Sequence, residues 1–174
     1  KTHSDYNLNG KRMNDTTPLI YLKNNEVYYN WYAASDTRKI CPVGFRIPLK
    51  DDWTLLINNV YKNGYTLSHS AVDQGKTEED ILSKLKSKTG WKAVWNNATG
   101  EFNFNMKPSG DLLATSSDNR IVDTTEKQNT ATFIVPIVNP DNPNTGMQLT
   151  VFGASIQYMN AYKYMMGSIR CLKE

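Results

Sequence analysis

Histidine and cysteine are both scarce in this chain. There are two of each in 174 residues, and the histidines, His3 and His69, lie in polar stretches. Neither histidine stands near a serine, cysteine or acidic pattern that indicates a nucleophile with its base. The sequence also lacks the His or Cys spacing typical of zinc sites and any glycine-rich phosphate loop. We therefore expect a protein that is not an enzyme.

Long apolar runs and a strong excess of one charge are also missing. No run approaches the ~20 apolar residues that a bilayer crossing needs, so we expect no direct membrane insertion. The 20 basic and 17 acidic residues leave a net charge of +3. This near balance argues against nucleic-acid binding, because such proteins concentrate lysine and arginine on one face. Aromatic residues are plentiful at 11%, which is too many for a disordered chain.

Two amphipathic helices are predicted in the first half. The first begins at Asp51 and ends before Gly64, and the second begins at Thr77 and is closed by Gly90. Each has an apolar stripe at helical spacing. The stripe residues are Trp53, Leu56, Ile57 and Val60 in the first helix, and Ile81, Leu82 and Leu85 in the second.

Short strands are predicted around these helices from runs of aromatic and β-branched residues. The predicted strands are 18–22, 26–32, 45–47, 91–95, 101–106, 112–115, 131–137, 148–152 and 167–172. Two long loops, 116–130 and 139–146, separate the later strands. The order of elements indicates an α+β fold. We expect one domain over residues 18–174, preceded by a loose polar lead-in over residues 1–17.

The segment 158–166 is the first candidate for a binding surface. It is rich in tyrosine, asparagine and methionine, which suit contact with another molecule. An ordinary buried strand pair is the alternative for this segment. The loop 116–130 adds further candidates, because long loops often carry binding residues. The candidate ligand-binding residues are Tyr158, Asn160, Tyr162, Lys163, Tyr164, Asn119 and Arg120.

The loop 139–146 could hold a calcium ion. Asn139, Asp141 and Asn142 offer oxygen ligands of the type that calcium prefers. These residue types, together with Pro140 and Pro143, are equally the usual formers of turns, and a cis proline would shape the loop in another way. We favour the turn and expect no cofactor, with calcium as the alternative.

The two cysteines, Cys41 and Cys171, are 130 positions apart, and the second lies close to the end of the sequence. A bond between them would tie the last strand to the first third of the chain. Two buried free thiols are the alternative. The residues alone do not decide between a disulfide and free thiols.

Several segments together form a recognisable sequence pattern. Near the start these are Tyr-Asn-Trp-Tyr-Ala-Ala at 29–34, Cys-Pro-Val-Gly-Phe-Arg-Ile-Pro at 41–48 and Asp52-Trp53. The middle has Lys-Leu-Lys at 84–86, Thr-Gly-Glu-Phe at 99–102 and Pro-Ser-Gly at 108–110. The end has Gly-Ser-Ile-Arg-Cys-Leu at 167–172. Together these segments resemble the Fibrobacter succinogenes major paralogous domain, a family of secreted and surface proteins of gut Bacteroidetes. The resemblance covers about residues 19–174.

The resemblance implies a fold similar to C-type lectin-like domains and to the formylglycine-generating enzyme, and it implies a Cys41–Cys171 disulfide. Three departures stand out. The family's Trp-Trp-Ser-Ser strand is missing, and Thr-Phe-Ile-Val-Pro at 132–136 stands in its place. Leu49 replaces the usual serine or threonine helix cap. The calcium motifs of sugar-binding lectins are also absent, so calcium-dependent sugar binding is not expected.

These features predict a non-catalytic ligand-binding module, an adhesin or receptor-binding domain that takes a glycan or a protein. We expect it outside the cell, on the cell surface or on a phage virion, as part of a larger assembly and possible oligomer such as a pilus, lipoprotein or phage fibre. One alternative is a structural domain of a pilus, fibre or capsid decoration. Others are a variable display protein of a diversity-generating retroelement and an enzyme of the formylglycine-generating type. The Asp-Thr pairs at 15–16 and 123–124 resemble O-glycan acceptors.

Overall fold

The computed structural model of the protein describes residues 16, 18–23, 25–61, 77–114, 121–123 and 127–174. In these ranges the helices are α1 (Trp31–Ala34), α2 (Lys50–Tyr61) and α3 (Thr77–Leu85), with a 3-10 turn at Ala93–Trp95. The strands are β1 (Ile20–Lys23), β2 (Glu26–Asn30), β3 (Phe45–Arg46), β4 (Leu112–Ala114), β5 (Ile121–Asp123), β6 (Thr130–Val138), β7 (Thr145–Phe152), β8 (Ser155–Tyr162), β9 (Met166–Gly167) and β10 (Leu172–Lys173). The lead-in 1–17 lies almost wholly outside the described residues, so its separate status stays a prediction.

The strands of the described residues form three antiparallel sheets. Their orders are β1-β2-β9-β4-β5, β6-β7-β8 and β10-β3. Single parallel bridges from Gly110 and Ser168 to β6 connect the first sheet to the second, and the Ile134 amide donates to the Ser168 carbonyl at 3.0 Å. The described chain is thus an α+β fold, as predicted.

The main hydrophobic core lies between the two longer helices and one face of the β6-β7-β8 sheet. Helix α2 contributes Trp53, Ile57 and Val60, and α3 contributes Ile81, Leu82 and Leu85, all of them buried. The same cluster includes Phe133, Leu149 and Tyr158 from the sheet. Both predicted helices and their apolar stripes are therefore confirmed, with Leu56 only partly buried against the core. Helix α3 ends at Leu85, before the predicted end at Gly90.

Helix α2 begins without a serine or threonine cap. The backbone amide of Leu49 instead donates to the Asp52 carboxylate at 2.8 Å, so a side chain three residues into the helix satisfies the first amide. Arg46 holds that carboxylate with two hydrogen bonds of 2.5 and 2.7 Å. The hydrogen bond from Arg46 is the main reason why the pKa of Asp52 is lowered. Asp52 thus takes over the capping role of the serine or threonine that Leu49 replaces.

Four predicted strands are wrong in part or in full. The strand 167–172 is two separate short strands, β9 and β10, with non-strand residues between them. The strand 26–32 stops at Asn30, because the Asn30 side chain caps α1 by accepting from the Ala33 amide at 2.9 Å. The strand 91–95 is a 3-10 turn at Ala93–Trp95. In 101–106 only Met106 forms a bridge, since Asn103 and Asn105 have φ of 51° and 57°, which residues of a regular strand do not adopt.

The predicted long loops are shorter in the structure. Strand β5 lies inside the interval 116–130, and β7 begins at Thr145, before the predicted end of the second loop. The segment 158–166 contains the second half of β8, a turn and the start of β9. A strand at Ser155–Tyr162 was not predicted, and it pairs with β7 along its whole length.

The Cys41–Cys171 disulfide is present, with the two Cα atoms 5.7 Å apart. It lies beside the two-residue pairing of β3 with β10, in which Leu172 faces Arg46 and Lys173 faces Phe45. The terminal strand is thus joined to an early one, as the resemblance implies. Among the described residues, no helix combines the length and apolar character needed to cross a bilayer.

Candidate ligand-binding site

The β6-β7-β8 sheet has two chemically different faces. Along β7, Met147, Leu149 and Val151 belong to the core cluster. The residues between them, Gln148 and Thr150, belong to the opposite face, because side chains alternate along a strand. Their register partners on β8 are Met159 and Gln157. The sheet therefore turns an apolar face to the helices and a largely polar face away from them.

A groove of about 680 Å³ lies along the polar face. This volume is within the range of small-molecule sites, roughly 300–1,000 Å³. The groove is lined by strand residues and by residues of neighbouring turns. The described lining residues are Asp111, Thr130, Asn142, Thr145, Gln148, Thr150, Phe152, Ser155, Gln157, Met159, Asn160, Ala161, Tyr162 and Met165. We call this feature the sheet groove.

The floor of the sheet groove is polar although it is buried. Thr130 is fully buried, and Gln148, Thr150 and Asp111 are each at most 8% exposed. Among the described residues, the Thr130 hydroxyl has no hydrogen-bond partner. Leaving a buried hydroxyl unsatisfied costs on the order of 1–3 kcal/mol, so Thr130 lowers the local stability of the fold at this position.

The rim of the sheet groove is apolar and aromatic. Phe152 and Tyr162 are each 52% exposed, and Met159 is 44% exposed. Tyr162 stacks on Tyr164 with ring centres 5.1 Å apart and planes nearly parallel. Burial, and to a smaller extent Tyr162, raises the pKa of Tyr164. The stacked pair extends the aromatic surface at one end of the groove.

The predicted binding residues fall into separate places. Asn160 and Tyr162 line the sheet groove, and Tyr164 adjoins it through the tyrosine stack. Tyr158 needs a correction: it is 1% exposed, and its hydroxyl donates to the Lys50 carbonyl at 2.8 Å. It belongs to the core and is unsuited to ligand contact, which matches the alternative of a buried strand.

Lys163 is held against aromatic rings rather than in the groove. Its ammonium lies 4.2 Å from the ring centre of Trp31 and 5.9 Å from that of Tyr32. A cation in this position is stabilised by the electron-rich ring faces. The remaining predicted residues, Asn119 and Arg120, lie outside the described residues.

The loop proposed for calcium is organised as a set of turns. The Asn139 side-chain oxygen accepts from the Asp141 amide at 3.0 Å, and that of Asn142 accepts from the Asn144 amide at 3.1 Å. No cis peptide bond occurs in the described ranges, so Pro140 and Pro143 are trans. Within the same ranges, no group of three His, Cys, Asp or Glu residues is placed to hold a metal ion.

Several groove residues were not predicted as ligand contacts, chiefly Thr130, Gln148, Thr150 and Gln157. The signal that could have found them is the alternation of polar and apolar residues in Thr-Ala-Thr-Phe at 130–133, Met-Gln-Leu-Thr-Val at 147–151 and Ile-Gln-Tyr at 156–158. That alternation indicates three half-buried strands with one polar face.

The fold and the groove define a disulfide-linked α+β module with a hydrogen-bonding surface on one sheet. The chain belongs to the Fibrobacter succinogenes major domain family, whose profile matches residues 2–173. The match begins earlier than the predicted residue 19 and includes most of the lead-in. Searches of the curated proteins and of the solved structures return no significant match. The family name by itself carries no statement of function.

Proposed function

We propose that the protein is a non-catalytic binding module whose sheet groove takes a carbohydrate. The observation that carries this proposal is the juxtaposition of a buried polar floor with an exposed aromatic rim. Sugar rings carry hydroxyls around their edges and apolar C–H groups on their faces. A site for them therefore needs hydrogen-bonding side chains and a flat apolar surface together, and the sheet groove offers both.

The chemistry of the floor favours a glycan over a protein ligand. Gln148 and Gln157 each carry an amide, which donates and accepts hydrogen bonds, and Thr130, Thr150 and Ser155 each carry a hydroxyl. Neutral amide and hydroxyl groups suit a ligand that itself consists of many hydroxyls. A protein interface of standard size needs ~800 Å² on each partner with a mostly apolar centre, whereas the centre of this groove is polar.

The proposed setting is outside the cell, on a cell surface or on a phage virion. The Cys41–Cys171 disulfide supports it, because structural disulfides persist mainly in oxidising compartments. A larger parent assembly, such as a pilus or fibre, and a C-type lectin-like arrangement of the fold belong to the same proposal. Calcium has no part in it, since the groove offers hydroxyl and amide groups that bind sugar hydroxyls directly.

Binding of the labelled protein to a glycan array tests the proposal. Calorimetry then measures the affinity for each glycan that binds. We expect Gln148→Ala to weaken binding by about tenfold, because it removes hydrogen bonds worth on the order of 1–2 kcal/mol. Phe152→Ala at the rim has a similar expected effect through lost stacking. Leu55→Ala is the matched control: Leu55 is 61% exposed on α2 and does not line the groove. Unchanged binding in both groove variants would contradict the proposal.

Protein recognition or assembly is the second candidate, and the exposed Phe152, Met159 and Tyr162 side chains favour it. Apolar residues clustered on a surface often mark protein contacts. Light scattering separates the two candidates. A stable oligomer that is broken by Phe152→Ala, together with an array on which nothing binds, would support assembly instead of glycan binding.

A further inference from the structure

A second, smaller pocket lies between α2 and the segment that leads into β10. Its volume is about 250 Å³, and it shares no described lining residue with the sheet groove. All of its described lining residues except Asp52 and Arg170 have apolar or aromatic side chains. The described lining residues are Pro48, Asp52, Trp53, Leu56, Phe104, Arg170, Cys171 and Leu172. We call this feature the α2 pocket.

Arg170 brings unused hydrogen-bonding capacity to the α2 pocket. Its guanidinium carbon lies 3.8 Å from the centre of the Phe104 ring. At that distance the planar guanidinium rests on the ring, and this contact does not use the N–H donors around its edge. Among the described residues, none accepts a hydrogen bond from this guanidinium or forms a salt bridge with it.

The other charged group in the described lining is already paired. The Asp52 carboxylate accepts hydrogen bonds from the Arg46 guanidinium and from the Leu49 backbone amide. Arg170, by contrast, is partly desolvated by its surroundings, which lowers its pKa, although its side chain still reaches solvent. A partly desolvated cation gains when a bound anion replaces its lost hydration. The α2 pocket thus combines apolar walls with a positive charge that is open to a ligand.

We propose that the α2 pocket binds a small organic acid, in which a carboxylate is joined to one aromatic or branched apolar group. The apolar group contacts Trp53 and Leu56, and the carboxylate accepts two hydrogen bonds from Arg170, in the paired geometry that these groups favour. The volume lies just below the usual small-molecule range of roughly 300–1,000 Å³, so it suits one such group.

A small acid fits the described lining better than the C-terminus of a peptide, which carries the same two groups. The amide groups of a peptide need hydrogen bonds of their own. Among the described lining side chains, Arg170 is the unpaired polar group that solvent reaches. This site is independent of the sheet groove and of the proposed glycan binding.

An NMR titration of isotope-labelled protein tests the proposal, with the indole N–H signals of the four tryptophans as reporters. We expect phenylacetate to shift the signal of Trp53, because Trp53 is the tryptophan in the described lining of the α2 pocket. Binding of so small a ligand should be weak, with a Kd on the order of 1 mM. Phenylacetamide lacks the charge and acetate lacks the apolar group. Each should therefore bind at least about tenfold more weakly than phenylacetate.

Two variants test the role of Arg170. Arg170→Gln should weaken phenylacetate binding about tenfold and leave the binding of phenylacetamide unchanged. Lys173→Gln is the matched control, since it removes an exposed positive charge nearby and Lys173 does not line the pocket. Thermal melting shows whether each variant is folded. The comparison of acid with amide on the unchanged protein needs no variant.

Equal affinities for phenylacetate and phenylacetamide would overturn the proposed recognition of a carboxylate, and so would an equal loss of binding in Arg170→Gln and Lys173→Gln. The absence of any shift, or shifts confined to the other tryptophans, would overturn the assignment of the site. If acetylglycylphenylalanine binds more tightly than phenylacetate, the occupant is a peptide C-terminus and not a small acid. None of these results alters the proposal for the sheet groove.

Discussion

At the scale of single residues, Asn30 has an unusually large structural role for a small polar side chain. It is fully buried, and its side-chain oxygen accepts from the backbone amides of Leu19 and Ala33, each at 2.9 Å. One contact holds the chain that leads into β1, and the other caps α1. The side-chain amide of Asn30 therefore links the residues before β1 to helix α1, which follows β2.

We expect Asn30→Ala to destabilise the protein by about 2 to 4 kcal/mol, because two buried amides lose their acceptor. Urea unfolding followed by tryptophan fluorescence measures the change. Asn160→Ala is the matched control, since Asn160 is exposed on β8, and its effect should stay within about 0.5 kcal/mol. An Asn30→Ala protein as stable as the control would show that these hydrogen bonds contribute little.

Tyr158 predicts a loss of stability at alkaline pH. Burial raises the pKa of its hydroxyl to about 12, while the hydrogen bond with Thr54 opposes this rise. The folded state thus favours the neutral phenol. The stability that this preference contributes is fully present below pH ~10 and is lost as the pH rises toward ~12. In the Tyr158→Phe variant, the side chain at position 158 cannot ionise. The variant also lacks the hydrogen bond to the Lys50 carbonyl.

In urea unfolding between pH 8 and pH 11, we expect the stability advantage of the unchanged protein over Tyr158→Phe to shrink by roughly 1 kcal/mol. The difference between the two proteins is the informative quantity, because ionisation elsewhere affects both. A difference that is constant over this pH range would contradict the assigned environment of Tyr158.

At the scale of elements, a buried lysine joins three parts of the chain. Lys86 follows α3 and is 1% exposed. Its ammonium donates to the Gly153 carbonyl at 2.7 Å, in the turn between β7 and β8, and to the Trp95 carbonyl at 3.1 Å, at the end of the 3-10 turn. It also lies 4.6 Å from the centre of the Trp91 ring. The cation is thus solvated by the protein itself.

We expect Lys86→Met to cost about 2 to 4 kcal/mol, because methionine keeps much of the apolar stem but leaves two carbonyls without this donor. Hydrogen exchange should show faster exchange in the β7–β8 turn, with little change in β1 and β2. Lys88→Met, at an exposed position, is the control. Uniformly faster exchange throughout the chain would mean that Lys86 stabilises the whole fold and not this junction.

The elements also show what sequence patterns can and cannot predict. The stripe of α2 is visible because four apolar residues repeat at helical spacing, which few other structures satisfy. The alternation at 101–106 looks equally clear, yet Asn103 and Asn105 adopt left-handed backbone conformations there. Asparagine tolerates that conformation better than most residues, so the pattern was compatible with two structures. Local sequence could not decide between them.

The candidate site was harder to predict than the helices, since it depends on register. Gln148 and Gln157 become groove residues because their strands pair so that both lie on one face. Tyr158 is adjacent to Gln157 in sequence but points to the core. A shift of one residue would exchange these roles. Residue type indicated a binding surface near 158–166, but only the pairing of strands shows which side chains reach it.

At the scale of the whole molecule, the Cys41–Cys171 bridge closes a loop of 130 residues. The chain-entropy model gives about 5 kcal/mol as the upper limit of its contribution. The local structure beside it is weak by itself, because β3 and β10 are only two residues long and such short strand pairs are marginal in water. The bridge therefore holds the end of the chain where hydrogen bonding alone would not.

We expect reduction, or the paired change of Cys41 and Cys171 to alanine, to lower the free energy of unfolding by several kcal/mol, up to about 5. Urea unfolding with and without reductant measures this, and thiol titration should find no reactive cysteine in the oxidised protein. The described lining of the sheet groove includes no residue of β3 or β10. The alanine variant should therefore keep its ligand affinity at temperatures where it remains folded. Loss of affinity in a folded variant would show that the disulfide shapes the groove, and unchanged stability would show that β3 and β10 hold the terminus without it.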